Sequence, residues 1–548
     1  MFMKLLFTLC LCMLSIATQA QPPLVFTPFD LNTGATIHSS PDNFAKLGNK
    51  FIFAASTDAH GKELWVSDGT TAGTQMLADI WPGTNSSNPT MYNTLGSKQI
   101  FSATNADGRE LWVTDGTTAG TQMLKDISPG AGTSVGGNSN AVYNGKMYFS
   151  ANDATSGAEI WATDGTTTGT QMVKDIISGI TSSNASSFTV CNGKLFFVAA
   201  DAANGTELWI SDGTAIGTTM LKDIATGTAS SNPGNLIAIG NTLYFRANTP
   251  ANGWELWTSD GTTTGTQMVK DIYSGVNNGV SNASMIQYNS KVYFSGNDGT
   301  NGIELWATDG TSAGTQMVKD INPGIAGNTV GGFTIYNNKL YFFADDGTHG
   351  YELWETDGTT AGTKLLKDLN PGLPDGFPGN MIVYKKYLYF TALLSSTDNQ
   401  FWITDGTSAG TKTIAPPIAP NNNPAGISKY FFFDQDSSLY FRANFTSIGI
   451  ELWSLKDTTT YPSSINNVTN NTTFSLYPNP NKGTFTLQMD NTNFTTASLM
   501  VYDVVGKLVH QQAITSRTQT IALQQPAGIY MAKLQIGDAV LTRQVVIE

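Results

Sequence analysis

Short runs of alternating apolar and polar residues recur along this chain, separated by turn residues. Residues 290–323, SKVYFSGNDGTNGIELWATDGTSAGTQMVKDINP, contain one complete unit. Residues 292–295 read as an aromatic strand, 296–302 as a turn, 303–308 as a second strand, 309–314 as a second turn and 315–321 as a third strand. A weaker apolar segment precedes each unit, such as 332–336 ahead of 340–343. A period of two places Leu305 and Ala307 on one face and Glu304, Trp306 and Thr308 on the other. No helical period appears.

The unit repeats. Its token is Glu-Leu-Trp followed by Thr-Asp-Gly-Thr-x-x-Gly-Thr, with tryptophans at Trp65, Trp112, Trp161, Trp209, Trp257, Trp306, Trp354, Trp402 and Trp453. Successive spacings are 47, 49, 48, 48, 49, 48, 48 and 51 residues, which chance does not produce. The turn acid recurs as Asp68, Asp115, Asp164, Asp212, Asp260, Asp309, Asp357 and Asp405, where its carboxylate can accept backbone N–H bonds while the next glycine takes positive φ. Four short strands per unit of this length predict propeller blades. The fold expected is all-β: a large β-propeller of about nine four-stranded blades, with eight blades or an open or split array as alternatives, followed by a small Ig-like β-sandwich. Burying each tryptophan between blades is worth roughly 4 kcal/mol, at about 25 cal/mol per Å² over about 150 Å². The ninth unit stops before its fourth strand. The unassigned apolar segment 24–29 is expected to supply it by pairing with the strand around Glu451 and Trp453, which removes the free edges.

Across residues 44–453 the pattern resembles the ELWxTDGTxxGT repeats of large bacterial surface and exported proteins. The hairpin is also similar to the repeat of pyrroloquinoline-quinone-type propellers. That second resemblance implies the fold alone, and no quinone cofactor is carried across.

Residues 456–473, KDTTTYPSSINNVTNNTT, are nearly devoid of apolar side chains and read as a linker between a repeat domain at 21–455 and a tail at 474–548. Seven short alternating strands in the tail predict a β-sandwich. Tyr477-Pro478-Asn479-Pro480 with Gly483, then VYDVVGKLV, then Gly528 and Tyr530 leading to the VVIE ending, occur in the order of a known family. The tail resembles the type A C-terminal sorting domain of the Bacteroidota type IX secretion system, with Arg543 where that family usually has a basic residue. The resemblance implies recognition by the outer-membrane secretion machinery, removal of the tail, and release or surface attachment. An ordinary Ig-like module is the alternative.

The other end agrees with export. Lys4, the apolar run 5–16 and Thr18-Gln19-Ala20 have the layout of a signal peptide over residues 1–20, too short for a membrane span. No later stretch reaches the roughly 20 apolar residues a span needs. Beyond it Cys191 stands alone, so no intramolecular disulfide is expected and chain size must supply stability. A formal net charge of -13 disfavours a nucleic-acid partner. Charged residues are 13% of the chain, against about 25% in an average globular protein, which suits an extracellular β-rich surface.

Candidate chemistry is sparse. His38, His60, His349 and His510 lack paired ligand spacing, and Cys191 reads as a small buried hydrophobe. The repeated acids, Glu304 and Asp309 among them, keep the repeat symmetry that a catalytic pair would break. The loops before Glu-Leu-Trp often contain an acid, and Asp58, Asp107, Asp153, Asp201, Asp298, Asp345 and Asp346 are calcium candidates because calcium prefers oxygen-rich loops. Tight turns use the same residues. Two functions stay open: a non-catalytic surface or secreted scaffold binding glycan or protein, and an extracellular polysaccharide-active enzyme. Trp254, His349 and the 371–378 loop depart from the repeat and mark where to look.

Overall fold

A computed structural model describes residues 23–32, 38–137, 139–282, 284–325, 329–372, 374–395, 398–414, 425–433, 436–445, 449–458, 474–489, 497–503, 508–536 and 539–548. The export segment 1–20 and most of the polar stretch 456–473 lie outside the described residues.

The repeats form nine four-stranded antiparallel sheets, called sheets 1 to 9 here in the order of their tryptophans. Sheet 1 is Asp42–Leu47, Lys50–Thr57, Gly61–Ser67 and Gln75–Ala78, and sheets 2 to 8 repeat that order, each from four consecutive strands. In sheet 6 the strands are Ile286–Tyr288, Lys291–Asn297, Ile303–Thr308 and Gln316–Lys319. Sheet 9 differs. Ala425–Phe433, Ser438–Asn444 and Glu451–Asp457 are completed by Leu24–Phe29 from the start of the chain, with Leu24 opposite Asp457 and Phe29 opposite Leu452. The expected pairing is present. The last repeat strand also runs further than its apolar residues suggest, to Asp457, because Leu24 and Val25 offer backbone partners to Lys456 and Asp457.

Between sheets the alternation acts as expected. Leu305 and Ala307 pack with Leu340, Phe342 and Trp354 of sheet 7, while Trp306 packs with Leu256 of sheet 5. The nine tryptophans are at most 9% exposed, so they are core residues and not ligand platforms. Sheet 9 meets sheet 1 through a core of the same kind: Phe433, Tyr440 and Leu452 with Phe51, Phe53 and Trp65, the Phe51 and Tyr440 rings 4.6 Å apart.

The chain divides into two compact units between Asp457 and Thr458. In the second, Phe474–Tyr477, Thr484–Met489 and Thr518–Ala522 form one sheet. Leu508–Ile514, Ala497–Tyr502, Gly528–Ile536 and Ala539–Ile547 form another, in that order. Phe485 and Leu487 of the first sheet share one core with Leu499, Leu534 and Val545 of the second.

Two outcomes follow from this packing. Trp306→Ala should destabilise by about 3–5 kcal/mol in equilibrium denaturation, through lost burial and the cavity left behind; a loss under about 1 kcal/mol would mean the ring is not core. Deleting residues 24–29 should expose the Glu451–Asp457 edge and produce dimers or aggregates on size exclusion. A monomer with an unchanged melt would show that the strand contributes nothing.

Candidate functional site

The polar turn residues of the repeated motif have bonding roles. In sheet 6, Asp309 Oδ1 accepts the Thr311 N–H at 2.9 Å and the Thr311 hydroxyl at 2.7 Å. The Gly314 N–H then reaches Thr311 Oγ1, and a Cβ on Gly314 would fall 2.0 Å from the Asp309 carboxylate. Gly310 has φ +92°, and a Cβ there would lie 2.7 Å from the Tyr244 hydroxyl of sheet 5. Asp68, Asp115, Asp164, Asp212, Asp260, Asp357 and Asp405 accept the same turn N–H. The turn also fastens sheets together. Lys270 of sheet 5 donates to the Thr315 carbonyl at 2.8 Å and lies 5.5 Å from the Trp306 ring centre. Lys125, Lys174, Lys222 and Lys319 reach the next sheet in the same way. The sequence contains this lysine at the same position in sheets 2 to 7, but its partner sits about one repeat later, so spacing within a unit does not reveal it.

The glutamate of Glu-Leu-Trp is fully buried in eight sheets, and Gln400 replaces it in sheet 8. Its carboxylate binds the loop that crosses to the next sheet. Glu63 accepts the Ile80 N–H at 2.8 Å and the Ser87 N–H at 3.0 Å. Glu304 accepts those of Ile321 and Asn322 at 2.8 and 3.0 Å. In sheet 9, Glu451 accepts those of Leu31 at 3.2 Å and Ser39 at 3.1 Å, both from the segment after the first strand of the chain. Burial pushes the carboxyls of Glu255, Glu304 and Glu352 up to about 7, against the loop amides that pull them down. The sequence reading placed these acids in the structure but missed their depth. The available signal was an isoleucine 17 residues and a serine 24 residues after the glutamate, as in Glu63, Glu159 and Glu207.

The calcium candidates are not brought together. Asp153, Asp201, Asp298 and Asp346 each accept two backbone N–H groups of their own turn, and Asp345 accepts that of Gly347. Asp107 accepts from Asn105, and Asp58 from Asn32. Among the described residues no three His, Cys, Asp or Glu side chains gather as metal ligands would. Cys191 is buried, and burial raises its thiol pKa. His60 pairs with Asp79 at 2.9 Å and His349 with Asp346 at 2.8 Å. Trp254 lies under the Arg246 guanidinium at 4.0 Å. A cavity of about 320 Å³ opens beside sheet 3, lined by Thr133, Ser134, Ser150, Asn152 and Asn184 among others.

In the second unit, the Tyr-Pro-Asn-Pro segment ties the first tail strand to the last. Asn479 donates to the Gln544 carbonyl at 2.7 Å and accepts the Val546 N–H at 2.8 Å. Asn481, next along, accepts the N–H of Gly483, which has φ +84°. Residues 475–548 match the family model described as the secretion system C-terminal sorting domain. They are a type IX secretion sorting domain. Within the sorting domain, Tyr530 donates to the Pro526 carbonyl, Tyr477 donates to Gln488, and Gly528 opens the strand carrying Tyr530. Arg543 sits 5.5 Å from the Phe474 ring centre and lines a cavity of about 440 Å³ with Asn479.

No curated protein matches the chain. Among solved structures it is similar to a puromycin hydrolase, at 14% identity and a TM-score of 0.33, over 67% of this chain and 61% of that one. A puromycin-hydrolyzing peptidase of Mycobacterium tuberculosis matches at 10% identity and TM-score 0.37, over 75% and 59%. The β-propeller domain of the Trilobed protease from Pyrococcus furiosus matches at 11% and 0.30, over 70% and 100%. The chain thus spans about 61% of the length of the hydrolase. Likenesses this low carry no argument about activity.

The two acid types titrate with opposite effect. A glutamate whose pKa is raised from 4.5 to about 7 holds its proton more tightly when folded, so stability falls as pH rises across that interval and levels above it. The turn aspartates, held below 3.8 by their threonine bonds, lose their contribution only as pH drops below that value. Stability, and melting temperature with it, should therefore be highest near pH ~4.5 and fall towards pH ~7, by at most about 1.4 kcal/mol per pH unit for each of these three glutamates, and change little above that. Glu304→Gln should flatten that fall in thermal melts. An unchanged slope would place the titration elsewhere.

Proposed function

We propose that the nine sheets close into a propeller-like ring that acts outside the cell as a non-catalytic scaffold binding glycan or protein. The protein is secreted and carries a type IX sorting domain. The proposal extends to removal of that domain at the outer membrane, with the repeat unit released or attached to the surface. It also takes the two tail sheets, which share one core, as an Ig-like sandwich.

Closure is supported by the way sheet 9 repeats on sheet 1 the contacts made at other joints. The Tyr440 hydroxyl approaches Gly69 of sheet 1 as that of Tyr148 approaches Gly213 of sheet 4. Glu451 binds Leu31 and Ser39 as Glu63 binds Ile80 and Ser87. The observation that carries the non-catalytic reading is that the repeated carboxylates are taken up by the fold. In sheets 1 to 7 one of each kind is already bonded to its own turn or crossover loop, and sheet 8 keeps only the turn aspartate and sheet 9 only the glutamate, which does not leave the unequal pair that acid–base chemistry uses.

Removing residues 474–548 should leave the repeat unit folded but held in the periplasm, whereas fusing them to an unrelated periplasmic reporter should carry it to the surface or medium. Fractionation of a type IX-competent host expressing each form measures both. A truncated chain that still reached the surface would mean that the tail has a different role.

A further inference from the structure

Sheet 7 breaks the repeat in its crossover loop. In the loops after sheets 1, 3 and 4 an asparagine in left-handed backbone donates its N–H to the third strand: Asn88 to Lys62, Asn184 to Ala158 and Asn232 to Thr206, with φ of 46°, 51° and 44°. In the loop after sheet 7 the residue making that bond, to Tyr351 at 2.9 Å, is Phe377 at φ 43°. Asparagine tolerates this conformation, whereas a bulky ring there is an outlier of the kind that collects at functional sites. The strain is not offset by burial, because Phe377 remains 48% exposed.

The ring is nevertheless held firmly. It stacks on Tyr351 at 4.9 Å and 17°, and Phe343 meets Tyr351 edge-on at 6.0 Å. Gly376 and Phe377 both donate to the Tyr351 carbonyl, Asp375 accepts the Tyr351 N–H at 3.0 Å, and Pro374 and Pro378 flank the segment. Stacked on Tyr351, Phe377 still leaves about half of its surface open to solvent. In sheet 5 the residue at the register of Tyr351 is Trp254, and it is covered by the chain's own Arg246. Polar groups belong to the same loops: Asp375, two residues before Phe377, accepts the Tyr351 N–H, and the His349–Asp346 pair lies on the turn leading into Tyr351.

We propose that Phe377, backed by Tyr351, is a stacking platform for a pyranose ring of an extracellular carbohydrate. The C–H face of such a sugar carries partial positive charge that an aromatic face attracts, as it attracts cations, and its hydroxyls need donors and acceptors at the rim. A protein partner would need about 800 Å² of complementary surface on each side, and one ring with charged groups on its loops does not offer that. The assignment deepens the binding-scaffold reading and rests on it.

The test uses the full exported chain, with cellohexaose, xylohexaose, laminarihexaose and chitohexaose as probes, in saturation-transfer NMR and calorimetry. At least one should bind. Phe377→Asn, which gives this loop the residue found after sheets 1, 3 and 4, should weaken binding roughly tenfold or more with a melting temperature equal to or above the parent's. Phe377→Tyr should keep binding. Equal binding by Phe377→Asn would overturn the platform and leave the scaffold reading intact. Binding of none of the four would overturn the carbohydrate assignment. Hydrolysis of any of them would overturn the non-catalytic reading instead, and the platform would still stand if Phe377→Asn weakened binding.

Discussion

A carboxylate taken out of water costs several kcal/mol unless donors replace its hydration, and this chain accepts that cost in eight of its nine sheets. The donors are backbone amides of the crossover loop. Because that loop starts the next sheet, each glutamate sets where its neighbour begins. Glu63 binds Ile80 and Ser87, and Ser87 lies just before the first strand of sheet 2 at Thr90–Leu95. A loop of about ten residues with few apolar side chains would otherwise have little reason to adopt one path. Removing one such carboxylate would leave loop amides buried without acceptors, and that loss exceeds the net worth of the bonds themselves.

Joints between sheets use three further devices, and they are unevenly distributed. A tryptophan fills the core, a lysine on the outer strand caps the next turn, and tyrosines reach the next sheet. Sheets 1 and 8 have Ala78 and Ala415 where sheets 2 to 7 have the lysine, and sheet 9 lacks the Asp-Gly-Thr turn that would receive one. At the joint from sheet 8 to sheet 9 aromatic residues take over: Tyr384 donates to the Ser437 carbonyl at 2.6 Å, and Phe401 lies 5.2 Å from Phe441. The joints that sheet 9 makes with sheets 8 and 1 thus depend more on apolar burial than the regular joints do.

Strands, turns and the segment completing sheet 9 were legible in the sequence because each depends on local alternation, or on an unpaired apolar run such as 24–29. The roles of Lys270 and Asn479 were not. Lys270 bonds Thr315, which is 45 residues later, and Asn479 bonds Gln544, which is 65 residues later. A repeat period gives the positions of equivalent residues but not which neighbour they touch. The loop acids show the converse. Asp153 and Asp298 lie in oxygen-rich segments suited to a cation, yet the nearest donors are amides two and three residues on, and those bonds form at almost no entropic cost. Phe377 was legible only as an irregular loop, since its meaning comes from the asparagines at the same register.

The strand that completes sheet 9 also constrains when the unit can finish folding. Leu31 and Glu451 are 420 residues apart, whereas Glu63 and Ile80 are separated by 17. The entropy of closing the longer loop grows only with the logarithm of its length, so the equilibrium penalty is modest. The kinetic consequence is larger, because contacts of such separation form late and leave a strand edge open until they do. Sheets 1 to 8 can each assemble on their neighbours as the chain emerges, by the nearest-neighbour logic of repeat arrays. Sheet 9 cannot, because its outer strand comes from the first residues of the unit and its other three from the last. The sorting domain follows that point in the chain. A receptor that engages residues 475–548 therefore meets a chain in which every strand of the repeat unit has already been made.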